Sequence, residues 1–227
     1  MTDFPTYYDL LRRIHQYLRP RTYLEIGVHE GHSLALVEPG TRTVGVDPEP
    51  KVTSPSPDTT IIASTSDGFF ERPDIGDLLD GGVDLAFVDG LHLFEQTLRD
   101  IANVERHAST DGVILVHDCL PIDAVTSARE RSTMVWSGDV WKSIVALRQH
   151  RPDLTIHTVD VAPTGLAVIT GLDPKNTTLS GRFDRIVADV CALTFADLET
   201  HGRDDMLAVV PNSWEAISPL LPNPPVG

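Results

Sequence analysis

Five short apolar segments in this chain each run into polar or acidic residues, and helix-patterned stretches separate them. Residues 22–26 contain Glu25 and stop at Gly27. Residues 43–46 stop at Asp47, residues 59–63 at the stretch from Ser64 to Asp67, residues 84–88 at Asp89, and residues 112–116 at His117 and Asp118. Apolar runs of this length, bounded by turn residues, read as strands buried on both faces. Tyr7, Leu10, Leu11, Ile14 and Leu18 recur at helical spacing, and Pro20 ends that leading helix. Further helices are expected up to Val37 and over residues 93–107, 139–150 and 179–198. Strands alternating with helices predict a mostly parallel sheet wound on both faces. Residues 154–161 and 166–170 flank Ala162-Pro163-Thr164-Gly165, which predicts a β-hairpin and one antiparallel addition to the sheet. With neither a repeat nor a linker in view, residues 1–227 read as a single domain, with 1–20 as its leading helix and a Pro-rich, poorly ordered tail over 219–227.

Charge and cysteine usage narrow the function classes. The formal net charge of −15 argues against a broad phosphate-binding face, so nucleic acid is not the expected partner. The apolar runs are too short to span a bilayer, and the first residues carry no basic, apolar leader pattern, so neither membrane nor secretory targeting is expected. Cys119 and Cys191 are the only cysteines, which fits a reducing cytoplasm better than a disulfide framework.

In open α/β sheets ligands bind outside the carboxyl ends of the strands, which is where the polar residues gather here. The first turn reads Glu25-Ile26-Gly27-Val28-His29-Glu30-Gly31, and Asp47 follows Gly27 by 20 residues. Glycines let a ligand approach the backbone, and an acid at that distance commonly accepts hydrogen bonds from ribose hydroxyls. The full dinucleotide fingerprint is absent, and Glu30 would repel a pyrophosphate. A ribose-bearing cofactor without phosphates fits better, and S-adenosylmethionine is one. Asp89 and Asp118 end strands read as neighbours, so their carboxylates converge and favour a divalent cation between them.

Tyr23-Leu24-Glu25-Ile26-Gly27, Val46-Asp47, Phe87-Val88-Asp89-Gly90-Leu91-His92 and Gly112-Val113-Ile114-Leu115-Val116-His117-Asp118 resemble, in that order, the motifs of class I S-adenosylmethionine-dependent methyltransferases. The subgroup most resembled holds the metal-dependent sugar and small-molecule O-methyltransferases, including the macrolide-sugar enzymes, and the likeness covers residues 22–170. It implies a Rossmann-like methyltransferase fold with a seven-stranded, mostly parallel sheet and a C-terminal antiparallel hairpin. It also implies roles for residues: Glu25, Gly27 and Gly31 in the cofactor turn, Asp47 on the ribose, and Ser66 and Asp67 near the adenine. Asp89, His117 and Asp118 would hold the metal, Mg²⁺ or, given the imidazole, Mn²⁺. His92, three residues after Asp89, would act as general base beside it.

Trp136, Asp139, Trp141 and Lys142 follow the fifth strand, where an acceptor would lie; flat Trp faces suit sugar rings, and the charged pair suits hydroxyls. Each of these residues also has a plainer role open to it. Trp141 could be core, Asp139 could cap the helix that follows, Ser66 could cap a turn, and Asp89 or His92 could cap the helix after Leu93. The expected function is O-methylation of a hydroxyl on a sugar, a glycoside or a related small molecule by a cytoplasmic enzyme, with a homodimer open. The alternatives are an NAD-linked oxidoreductase and a non-catalytic cofactor-binding scaffold.

Overall fold

A computed structural model describes residues 2–224. An eight-stranded sheet forms its centre: β1 Thr22–Ile26, β2 Arg42–Asp47, β3 Thr59–Ala63, β4 Val83–Val88, β5 Ala108–His117, β6 Thr155–Val159, β7 Leu166–Thr170 and β8 Val209–Val210. The order is β3-β2-β1-β4-β5-β7-β6-β8. The first five strands run parallel, while β7 lies antiparallel to both β5 and β6. The expected hairpin is therefore present. The eighth strand, paired parallel to β6, has only two residues and so carries no period for a sequence reading to find.

Side-chain alternation along the central strands sorts the core into two layers. Leu24, Ile26, Ala86, Val88, Ile114 and Val116 face one side, against α4 (Phe94–Arg106) and α5 (Trp141–His150). Tyr23, Leu85, Phe87, Val113 and Leu115 face the other, against the leading helix α1 (Tyr7–Leu18). Thr6 and Asp9 form a capping box at the start of α1, and Arg19 in the left-handed region (φ +46°) ends it.

Several expected elements are changed. The helix toward Val37 is a single 3-10 turn, Leu34–Leu36. Two short helices absent from the reading, α2 (Ser66–Phe70) and α3 (Ile75–Leu78), follow β3. The long helix over 179–198 is divided into α6 (Thr178–Gly181), α7 (Phe183–Val190) and α8 (Phe195–His201), followed by α9 (Arg203–Met206). Thr194 is the reason for one break: with Asp197 it forms a second capping box, which starts a new helix inside the apolar pattern. Residues 219–221 are not loose. After α10 (Trp214–Ile217), a 3-10 turn Ser218–Leu220 leads to a buried Leu221. Residues 225–227 of the expected tail lie outside the described residues. Among the described residues no helix is long and apolar enough to cross a membrane.

Candidate active site

The carboxyl ends of β1, β2 and β4 open onto a cavity of about 630 Å³. Gly27 has φ +90°, and a Cβ there would lie 2.0 Å from the Asp89 carbonyl oxygen. Only glycine lets the turn after β1 pass that close to the end of β4. Asp47 lines the cavity and also organises the turn, its two carboxylate oxygens accepting the backbone N–H groups of His29 (2.8 Å) and Glu49 (2.7 Å). Each oxygen keeps a lone pair for a further donor.

Two of the expected cofactor residues do not reach the cavity. Glu25 is completely buried, accepting hydrogen bonds from Tyr23 Oη (2.7 Å) and Ser33 Oγ (2.6 Å). Burial pushes its carboxyl up to about 8, against the lowering effect of those two bonds. It is Ser33, held by Glu25, that lines the cavity. Gly31 (φ +78°) lies beneath Val52, where a Cβ would come within 2.8 Å of a Val52 methyl, and it permits the turn rather than touching a ligand.

Ser66 and Asp67 do line the cavity, from the first turn of α2. The capping role falls to Thr65, whose hydroxyl accepts from the Gly68 N–H. Gln96 donates to Ser66 Oγ (3.1 Å), Asp67 Oδ1 (3.2 Å) and Asp100 Oδ1 (3.0 Å). Asp100 is buried, which raises its carboxyl to about 6. The sequence reading missed both residues. Their signal was a polar i, i+4 pair on a helix whose buried face is mostly apolar. Tyr7 and Tyr8, read only as part of an amphipathic helix, line the cavity as well.

At the far end of the cavity four titratable residues meet. His92 stands between two carboxylates, Nδ1 2.9 Å from Asp118 Oδ2 and Nε2 3.4 Å from Asp89 Oδ1. His117 Nδ1 lies 3.2 Å from Asp89 Oδ1, and its ring is covered by that of Tyr7, centroids 3.9 Å apart. Thr164 Oγ1 donates to Asp118 Oδ1. Burial lowers the His92 imidazole, but hydrogen bonds to Asp118 and Asp89 and their charges outweigh it and push the group up to about 10. Burial likewise opposes the charge on Asp89, and the two imidazoles overcome it, holding that carboxyl below its ordinary range. His92 (φ +58°) and Asp118 (φ +63°) both occupy the left-handed region, a strain characteristic of functional loops.

One ligand atom from each of Asp89, His92 and Asp118 falls within 4.8 Å of the others, a spacing that could hold a metal ion. Asp118 Oδ2 is buried, and its near neighbour is His92 Nδ1 at 2.9 Å, a nitrogen it shares with the Trp136 carbonyl at 3.1 Å. A buried carboxylate oxygen that must share one donor with a carbonyl is what a cation would satisfy. Of the expected trio of Asp89, His117 and Asp118, His117 is engaged with Asp89 Oδ1, while His92 stands between the two carboxylates.

Of the four expected acceptor residues only Trp136 reaches the site. Its ring stacks on His92 with centroids 5.0 Å apart and planes 8° off parallel, and its Nε1 donates to the Ala128 carbonyl. Trp141 is core, 1% exposed. Lys142 is buried and donates to the Cys191 carbonyl (3.0 Å). Asp139 is buried and accepts from the Phe94 N–H (3.1 Å), so it caps α4 and not the helix next to it in sequence; it also pairs with Arg129 at 2.7 Å. Asp89 and His92 leave that capping role to it.

A family model described as a methyltransferase domain matches residues 24–119. No curated protein matches the sequence. Among solved structures, the chain is similar to the O-methyltransferase TomG of Streptomyces achromogenes, solved with S-adenosylmethionine: 17% identity, 72% of this chain and 78% of that one, TM-score 0.53. An O-methyltransferase of Bacillus cereus in complex with S-adenosylhomocysteine gives 12% identity, coverage of 74% and 81%, and a TM-score of 0.54. The methyltransferase PaMTH1 of Podospora anserina, bound to S-adenosylhomocysteine, gives 19%, 74%, 78% and 0.52 respectively. Residues 24–119 thus match the methyltransferase-domain model within an α/β chain that has the Rossmann-like methyltransferase fold.

Proposed function

We propose that this chain is an S-adenosylmethionine-dependent O-methyltransferase that uses a divalent cation, and that its acceptor is a hydroxyl of a sugar, a glycoside or a related small molecule in the cytoplasm. One observation carries the reading: a single cavity is lined both by the Gly27–Asp47 turn and by Asp89 and His92, with Asp118 2.9 Å from the His92 ring. When bound, S-adenosylmethionine supplies an electrophilic methyl group, and the cation acidifies a hydroxyl coordinated to it. The remaining tasks fall to the chain's own residues. Asp47 offers carboxylate lone pairs to ribose hydroxyls, and Ser66 and Asp67 offer polar groups to an adenine edge. Asp89 and Asp118 hold the cation, Mg²⁺ or Mn²⁺, with His117 fixing Asp89. In the metal-free cluster His92 keeps its proton at neutral pH, because two carboxylates face it. With a cation held by those carboxylates, the His92 imidazole would be free to accept the acceptor's proton. Trp136 fixes the plane of the ring. Glu30, which lines the cavity, counts against the NAD-linked alternative, since it would stand beside a pyrophosphate.

Calorimetric titration with S-adenosylhomocysteine, with and without Mg²⁺, tests the reading. Micromolar binding is expected, and affinity weaker than about 1 mM would end it. Methylation of glycoside acceptors should stop on chelation with EDTA. A rate unchanged by EDTA would remove the cation and leave the cofactor.

A further inference from the structure

A second concave region, about 800 Å³, lies between α4 and the start of α7, and Asp67 alone is common to its wall and that of the cofactor cavity. Its wall carries four guanidiniums, from Arg99, Arg106, Arg182 and Arg185, in a chain whose net charge is −15. Arg99, Asn103 and Arg106 stand at i, i+4 and i+7 on α4 and so share one helix face, with the two arginines about 10 Å apart along the axis. Arg182 and Arg185 face them across the groove from the beginning of α7.

Few of these charges are neutralised. Arg99 lies 3.9 Å from Asp67 and rests over the Phe183 ring at 4.7 Å. Arg106 donates to the Asn103 side chain. Among the described residues no carboxylate lies within ion-pair distance of Arg106, Arg182 or Arg185, although Glu71 and Asp184 also line the groove. Like charges gathered around one concavity raise its local potential, and a multivalent anion relieves it. Guanidinium forks match phosphoryl oxygens in two-pronged geometry, and rows on both walls suit an anion with more than one phosphoryl group. Phe70 and Phe183 add apolar surface beside them.

We propose that this groove binds the oligophosphate group of a small molecule, such as the diphosphate of a nucleotide, at a place separate from the methyl-transfer site. The probe is inorganic pyrophosphate, titrated calorimetrically into the full chain at low salt. A Kd below about 1 mM is expected, with orthophosphate about tenfold weaker. The double variant R182E/R185E changes two exposed side chains and should weaken pyrophosphate about tenfold or more while retaining the parent's circular dichroism and melting temperature. A control of equal charge change, R21E/K175E, should bind within about twofold of the parent. Three results would overturn the proposal: no pyrophosphate binding up to about 10 mM, orthophosphate bound as tightly as pyrophosphate, or equal weakening in both double variants.

Discussion

Glu25 keeps a carboxyl group where no water reaches it, accepting from Tyr23 and Ser33 at the base of the cofactor turn. Its folded-state value, about 8, stands above the ordinary 4.5, so between those two pH values the folded chain retains a proton that the unfolded chain releases. Stability from this group is therefore complete below about pH 4.5 and is lost as pH rises through about 8. Gln at this position keeps the shape and does not titrate. The melting temperature of E25Q, relative to the parent, is expected to climb between pH 5 and pH 8 by on the order of 5 °C. A difference that stays flat with pH, measured by thermal unfolding in matched buffers, would show that Glu25 is ionised when folded.

The elements meet at the site through contacts distant in sequence. Asp139, 45 residues after Phe94, closes the first turn of α4 and binds Arg129 and the buried Lys142. Removing it leaves a helix N–H without its acceptor and an ammonium with less neutralisation. Asp139→Ala is thus expected to lower stability by about 3 kcal/mol, read as a drop in the urea midpoint. The cofactor end should suffer less than the His92 end, because Gly138 next to Asp139 packs directly on the His92 carbonyl. Much of this layout was legible in the chain. Gly27, Asp47, Asp89 and Asp118 each follow an apolar strand, and strand ends of an open sheet share one rim. What stayed hidden depends on which loop crosses which helix. Asp139 looked like a cap for its neighbour in sequence, and Glu25, which looked like a ligand, is turned inward. Gln96 and Asp100 sit in the first two turns of α4, where polar residues usually mean a cap or solvent.

Across the whole molecule, a short clasp couples the cofactor cavity to residues more than 200 positions away. The Asp3 N–H donates to the Asn212 carbonyl (3.0 Å), Asn212 Nδ2 to the Phe4 carbonyl (2.8 Å), and the Trp214 N–H to Asp3 Oδ2 (2.7 Å). Immediately after this clasp come Tyr7 and Tyr8, which wall the cavity, and Tyr7 also covers His117. Asn212→Ala should cost about 1 kcal/mol and weaken S-adenosylhomocysteine binding several-fold, though Asn212 touches neither cavity nor cluster. Faster amide exchange in residues 4–8 would accompany the loss, and unchanged exchange there would separate the clasp from the site. The clasp also sets an order of events during synthesis. The helix bearing Tyr7 is made before the residues that fasten it, which follow it by about two hundred positions. Until residues 212–214 have emerged, the nascent sheet therefore carries a binding pocket with one wall unfastened.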